Sequence, residues 1–146
     1  MVDIDDTLLI GGKISRLFWW LSLQMQRIGR KLQRLNSRVA SELTDYDEVV
    51  VLTGRDAREL QFTRRQLQAA GVTFNKLICC PRRRLIDEWK VSIARELSKA
   101  NPIVWIDDMI GEDIQTRIDD PNSNVTPLRP EQIAGARVQN SELEWL

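Results

Sequence analysis

The sequence predicts an α/β domain, a three-layer sandwich in which about five parallel strands are covered by helices on both faces. Three observations predict it. Short apolar runs, "EVVVLT" (48–53), "FNKLICC" (74–80) and "PIVWIDD" (102–108), recur along the chain, as strands buried on both faces require. Stretches of helical apolar spacing separate them, "DARELQFTRRQLQAAG" (56–71) and "IDEWKVSIARELSKANP" (86–102). Alternation of strand and helix leads to a parallel sheet, because parallel neighbours need a long crossover.

Taken in order, the chain starts with "MVDID" (1–5), a strand with only Met1 and Val2 ahead of Asp3. So short a strand is rigid only if "VVVLT" and "IVWID" flank it and supply pairing on both sides. Gly11-Gly12 gives a flexible lead-in to residues 12–43, which read as one long helix or as two broken near Asn36. From Lys13 to Arg38 this segment carries seven cations and no acid. Its apolar half, around Leu17, Phe18, Trp19 and Trp20, is expected to pack on the sheet. Asp56 starts the next helix and Gly71 stops it; Asn101-Pro102 stops the one after. "NVTPL" (124–128) is a weak fifth strand. With no repeat and no low-complexity linker, residues 1–146 are expected to form a single domain of Rossmann-like pattern, with 12–43 as a helical insert.

Composition narrows the chemistry. Hydrophobic residues make up 42% and charged residues 29%, with zero net charge. That suits a globular chain with no global pull toward nucleic acid or membrane. No apolar run reaches membrane-spanning length and the start lacks a basic-then-apolar leader, so a cytoplasmic setting is expected and membrane-surface contact is not. There is no histidine, which excludes histidine triads and histidine-held metals. The adjacent Cys79 and Cys80 have neither disulfide nor zinc spacing and are expected to pack as thiols in a reducing compartment. A metal here must be held by oxygen, which points to magnesium or another hard cation.

The acids fall where the strands end. Asp3, Asp5 and Asp6 close the first, Thr53, Gly54 and Arg55 follow the second, and Asp107 and Asp108 close "IVWI". Ligands of open parallel sheets bind at those carboxyl ends. Strand periodicity sets Asp3 and Asp5 on one side. Carboxylates gathered there repel, and a divalent cation relieves the repulsion. A nucleophilic carboxylate, a second one for proton transfer, a hydroxyl, a lysine and a metal form a kit for phosphoryl transfer.

These motifs resemble the haloacid dehalogenase superfamily of phosphohydrolases. "DIDDT" (3–7) is similar to its first motif, "VVVLTGR" with Thr53 to its second, Lys90 in "EWKVSIARELSKANP" to its third, and "VWIDD" to its fourth; they occur in the family's order over residues 3–108. The resemblance implies Asp3 as nucleophile and Asp5 as general acid/base. It implies Thr53, Gly54 and Lys90 as phosphate binders. Magnesium would be held by the Asp3 side chain, the Asp5 backbone carbonyl and Asp107 or Asp108, with Asp108 favoured as the direct ligand. Lys76 or one of Arg82, Arg83 and Arg84 could replace Lys90. Arg55 could contact substrate or form a surface ion pair. Glu112 and Asp113 could reach the metal's outer shell or stay solvated. Trp89 and Trp105 are expected in the core.

About forty-five residues separate Asp5 from Thr53, too few for a large cap domain. A minimal-cap member has an open site for a bulky substrate, or borrows a cap through a homodimer contact of segment 12–43. The expected function is magnesium-dependent hydrolysis of a phosphate monoester through an aspartyl-phosphate, on a small molecule, a nucleotide or a nucleic-acid end. The rival expectations are a phosphoryl-receiving signalling domain, which also gathers an acid pair, a threonine and a lysine around magnesium, and a non-catalytic phosphate-binding module.

Overall fold

The computed structural model describes residues 1–11, 23–81, 85–119 and 123–133. The Trp19–Trp20 pair, most of the apolar half of the 12–43 segment and the "RRR" run at 82–84 lie outside them. The architecture is mixed α/β. In chain order the elements are β1 (Leu9–Ile10), α1 (Leu23–Lys31), β2 (Arg34–Leu35), α2 (Ser37–Leu43), β3 (Val50–Asp56), a 3-10 turn (Ala57–Glu59), α3 (Leu60–Ala69), β4 (Lys76–Cys80), α4 (Ile86–Ser98), β5 (Ile103–Ile106), α5 (Glu112–Ile118), β6 (Val125–Leu128) and a 3-10 turn (Pro130–Gln132). No helix among the described residues is long and apolar enough to cross a membrane.

Two parallel ladders form the centre. β3 pairs with β4, and β5 pairs with β6, each across a helical crossover. Between them runs the start of the chain. Val2 bridges Val51 on one side and Ile106 on the other, both in parallel sense. The Val2 amide donates to the Val50 carbonyl at 2.9 Å and the Leu52 amide to the Val2 carbonyl at 2.8 Å. On the other side the Asp3 amide donates to Ile106 and the Ile106 amide to Met1, both at 2.9 Å. The expected first strand is therefore a single pair of bridges and not a full strand. Only residues 1–3 stay extended. The Thr7 amide then turns back to the Ile4 carbonyl, and Asp6 takes φ 60°, a conformation aspartate tolerates better than most side chains. Asp5 lies within this turn, so the strand alternation expected for Asp3 and Asp5 does not extend to it.

The segment after Gly11 breaks as the sequence allows. α1 ends at Lys31, the two-residue β2 pairs antiparallel with β1, and Asn36 opens α2. The Asn36 amide donates to the Leu8 carbonyl at 2.8 Å and its side-chain amide to the Thr7 carbonyl at 3.0 Å. Residues 33–36 are thereby tied across the turn that follows Asp3. The Asp56 side chain accepts from the Arg58 amide and so caps the 3-10 turn Ala57–Glu59, which leads into α3 at Leu60; α3 stops before Gly71 at φ 77°, a left-handed position that suits glycine.

The core lies on both faces of the ladders. Val2, Ile4, Leu8, Leu9, Val51 and Leu67 belong to one apolar cluster. Trp105, Ile106, Leu52 and Trp89 are likewise buried, and Cys79 and Cys80 are buried and form no disulfide.

Candidate active site

Three separate segments deliver polar groups to the carboxyl end of the ladders. Asp3 follows the Val2 bridges, Asp107 and Asp108 follow β5, and Lys90 projects from the second turn of α4. Asp3, Lys90 and Asp107 are all buried, at 5%, 4% and 1% exposure. The Lys90 ammonium sits 2.9 Å from Asp3 Oδ1 and 2.6 Å from Asp107 Oδ2. Asp107 is fixed further by the Trp105 indole N–H at 3.2 Å and the Met109 amide at 3.0 Å. Asp108 is seated by Thr7, whose hydroxyl donates to Oδ1 at 3.1 Å and accepts from the Asp108 amide at 2.9 Å.

Asp3, Asp107 and Asp108 each offer an oxygen within 4.8 Å of the others. Three carboxylates share one ammonium there, so the fully ionised cluster carries a surplus of two negative charges. Burial, the strongest influence, pushes the Asp3 carboxyl up to about 8; Lys90 opposes this, while Asp107 and Asp5 add to it. Burial and Asp107 raise Asp108 as well. For Lys90, burial works against the charge but Asp3 and Asp107 outweigh it and hold the ammonium above its ordinary range. This donor set fits a hard divalent cation. It is all oxygen, its surplus charge matches, and oxygens around an octahedral magnesium at about 2.1 Å lie about 3 to 4 Å apart, close to the spacing present. Asp3, Asp107 and Asp108 would hold it.

Asp5 goes elsewhere. Its carboxylate turns onto Arg55, which grips it with Nε at 2.9 Å and Nη2 at 2.8 Å, while the Gln33 amide donates at 2.8 Å. Burial would raise the Asp5 carboxyl, but the Arg55 hydrogen bonds and charge overcome it and hold the group below the usual range. Arg55 itself is buried. Its remaining donors reach Gln33 at 2.9 Å, Gln66 at 2.7 Å and Thr63 at 3.4 Å, so all five guanidinium N–H groups are used. The ion pair expected at the surface is instead buried, between Arg55 and Asp5, where β3 carries a register shift between Thr53 and Asp56.

The other expected residues fall as follows. Thr53 is fully buried and its hydroxyl accepts from the Arg55 amide at 3.3 Å. Gly54 faces the Ile86 side chain, which a β-carbon would approach to 3.1 Å. Lys76 is exposed at the start of β4, the opposite end of the ladder from the acids, and so does not replace Lys90. Glu112 and Asp113 are exposed in the first turn of α5. Sequence reasoning missed Gln33, Gln66 and Thr63 as partners of the Asp5–Arg55 pair. Nothing local marks an amide thirty residues away for that role. The Trp105–Asp107 contact had a signal, since residues two apart share a strand face.

Comparison of the chain with family models, with curated proteins and with solved structures finds no match.

Proposed function

We propose that the chain is a magnesium-dependent phosphohydrolase of haloacid dehalogenase type, acting on a phosphate monoester through an aspartyl-phosphate. One observation carries this reading: Asp3, Asp107 and Asp108, from two distant segments, converge within 4.8 Å around a buried lysine. Read as one sheet, the order β4, β3, the Met1–Asp3 segment, β5, β6 is a Rossmann-like frame, with Asp3 at the middle of its carboxyl edge. Cys79 and Cys80, buried and not joined in a disulfide, suit a reducing, cytoplasmic setting.

In this reading an Asp3 carboxylate oxygen attacks phosphorus, and the bond from phosphorus to the ester oxygen breaks. The leaving alkoxide takes a proton from Asp5. Water then attacks the phosphorus of the acyl phosphate, gives a proton to Asp5, and the bond from phosphorus to Asp3 breaks, releasing inorganic phosphate. Lys90 and the Thr53 hydroxyl stabilise the phosphoryl oxygens. A bound divalent cation supplies charge neutralisation between carboxylates and phosphate. Asp5 takes part only when its grip on Arg55 and Gln33 opens, because a carboxylate held by a guanidinium fork is a poor proton donor.

That grip favours a second reading, a phosphate-binding module without turnover, related to the receiver alternative. Release of phosphate from p-nitrophenyl phosphate separates the two, measured with magnesium and with EDTA for wild type and Asp3→Asn. Magnesium-dependent release abolished in Asp3→Asn is expected. Magnesium binding with no release from any ester in a nucleotide panel would favour the module.

A further inference from the structure

The zero net charge conceals a segregation. Residues 8–41 and 60–86 hold thirteen of the twenty-one lysines and arginines and none of the twenty-one acids. These two stretches, far apart in sequence, meet in the fold. Arg27 and Arg30 of α1 pair with Glu59, the fully buried acid just ahead of α3. The Arg27 guanidinium also lies over the Phe62 ring at 5.5 Å. Further along, the Gln66 amide donates to the Arg30 carbonyl and faces Gln33. Glu59 thus consumes two cations internally and pins α1 to α3.

What remains outside is cationic. Lys31 follows Arg30, Arg34 follows Gln33, and Arg65 precedes Gln66; all three are exposed, and none has an acidic partner among the described residues. Each is the chain neighbour of a member of one hydrogen-bond knot, Arg30, Gln33 and Gln66, and that knot ends on Asp5 through Gln33. Arg64 and Lys76, also exposed, extend the same sign of charge along α3 to the edge strand β4. A positive face therefore begins at the lip of the acid site and runs away from it.

We infer that this face docks single-stranded nucleic acid and that a phosphate at the strand's end is the ester presented to Asp3, an inference that rests on the reaction proposed above. A polyanion with charges at regular spacing matches a run of unpaired cations, and their release of counterions drives association. Exposed Gln24, Gln61 and Gln68 lie on the same two helices. Amides hydrogen-bond bases and sugars, groups that a nucleic-acid strand presents beside its phosphates. The buried nucleophile admits the end of one strand more readily than a blunt duplex.

Fluorescence anisotropy of a labelled single-stranded oligonucleotide bearing a terminal phosphate tests this on the whole chain in EDTA, where no turnover is needed. Saturable binding is expected, weakening steeply with salt. The Lys31→Glu/Arg34→Glu/Arg65→Glu variant should lose at least tenfold in affinity, and its slope of log affinity against log salt should flatten by about 2, roughly 0.7 for each lost contact. The Lys31→Gln/Arg34→Gln/Arg65→Gln variant gives the same sign should charge reversal prevent folding. Lys99→Glu, a cation already paired with Glu96 on α4, serves as the control and should bind like wild type. Absence of binding at 50 mM salt, or affinity within twofold of wild type in both triple variants, overturns the inference. Binding to phosphatidylserine vesicles without binding to the oligonucleotide also overturns it. Strand binding with no phosphate release from any ester would leave this surface standing and remove the reaction; release from p-nitrophenyl phosphate with no strand binding would do the reverse.

Discussion

Replacing Arg55 by leucine removes the centre of a buried polar network. Arg55 is 2% exposed and makes five hydrogen bonds to Asp5, Gln33, Gln66 and Thr63. Removing one partner of a buried ion pair costs about 3 to 5 kcal/mol, because the other charge stays behind without compensation. Asp5 retains 22% side-chain exposure, so water reaches part of it and the ion-pair loss belongs near the lower limit. Unpaired Gln66 and Thr63 add about 1 kcal/mol. A total near 4 kcal/mol corresponds to a fall of roughly 12 °C in a chain of this length, at about 3 °C per kcal/mol. Urea denaturation and thermal melting of Arg55→Leu, Asp5→Asn and the double variant measure this. The double variant should cost less than the sum of the singles by about 2 kcal/mol, the signature of residues acting on each other. An Arg55→Leu variant within 0.5 kcal/mol of wild type, or singles that simply add, would refute the clamp as described.

The remaining expectations concern the acid cluster. Since Asp3 is pushed up to about 8, the folded chain holds its proton more tightly than the unfolded chain does. Its contribution to stability is therefore present at low pH and lost as pH rises from the ordinary carboxylate range through about 8; melts in EDTA should show this decline in wild type and not in Asp3→Asn. Magnesium should raise the melting temperature by stabilising the fold by about 2.7 kcal/mol at a hundredfold excess over its dissociation constant, with most of the gain gone in Asp108→Asn. Lys90→Met leaves Asp3 and Asp107 facing each other and should cost about 3 to 5 kcal/mol in EDTA, partly recovered by magnesium, with phosphate release abolished; urea midpoints equal to wild type would contradict the bridging role. Leu67→Ala, at a fully buried core position, should cost about 2 to 5 kcal/mol in the same urea experiment without altering magnesium affinity.

Much of the frame was legible in the chain. "VVVL", "LICC" and "IVWI" are β-branched or apolar over four residues, and each contributes to a strand of a parallel pair. Asp56 opened the helical stretch by capping the 3-10 turn ahead of α3, and Gly71 followed the end of α3, because capping is a local matter between a residue and the nearest backbone. The weak "NVTPL" signal also proved a strand, pairing with β5 from Val125 to Leu128. The short antiparallel pairing of β1 with β2 was not legible, since only the crossing of two distant turns creates it.

The site divides along the same line. Sequence by itself determined which carboxylates stand at strand ends, because strand length and apolar pattern are written in neighbouring residues. It determined too that histidine takes no part in any metal site of this chain. Tertiary structure alone decided which of those carboxylates meet. Asp3, Asp107 and Asp108 gather around Lys90, whereas Asp5, two residues from Asp3, is drawn to Arg55 by the turn at Ile4–Thr7 and the bulge in β3. The same holds for charge. The sequence contains two acid-free stretches, but only the packing of α1 on α3 spends Arg27 and Arg30 on Glu59 and leaves Lys31, Arg34 and Arg65 facing solvent. Partner choice among like groups depends on distances of a few ångströms across segments remote in the chain, and those distances exist only once the core has closed.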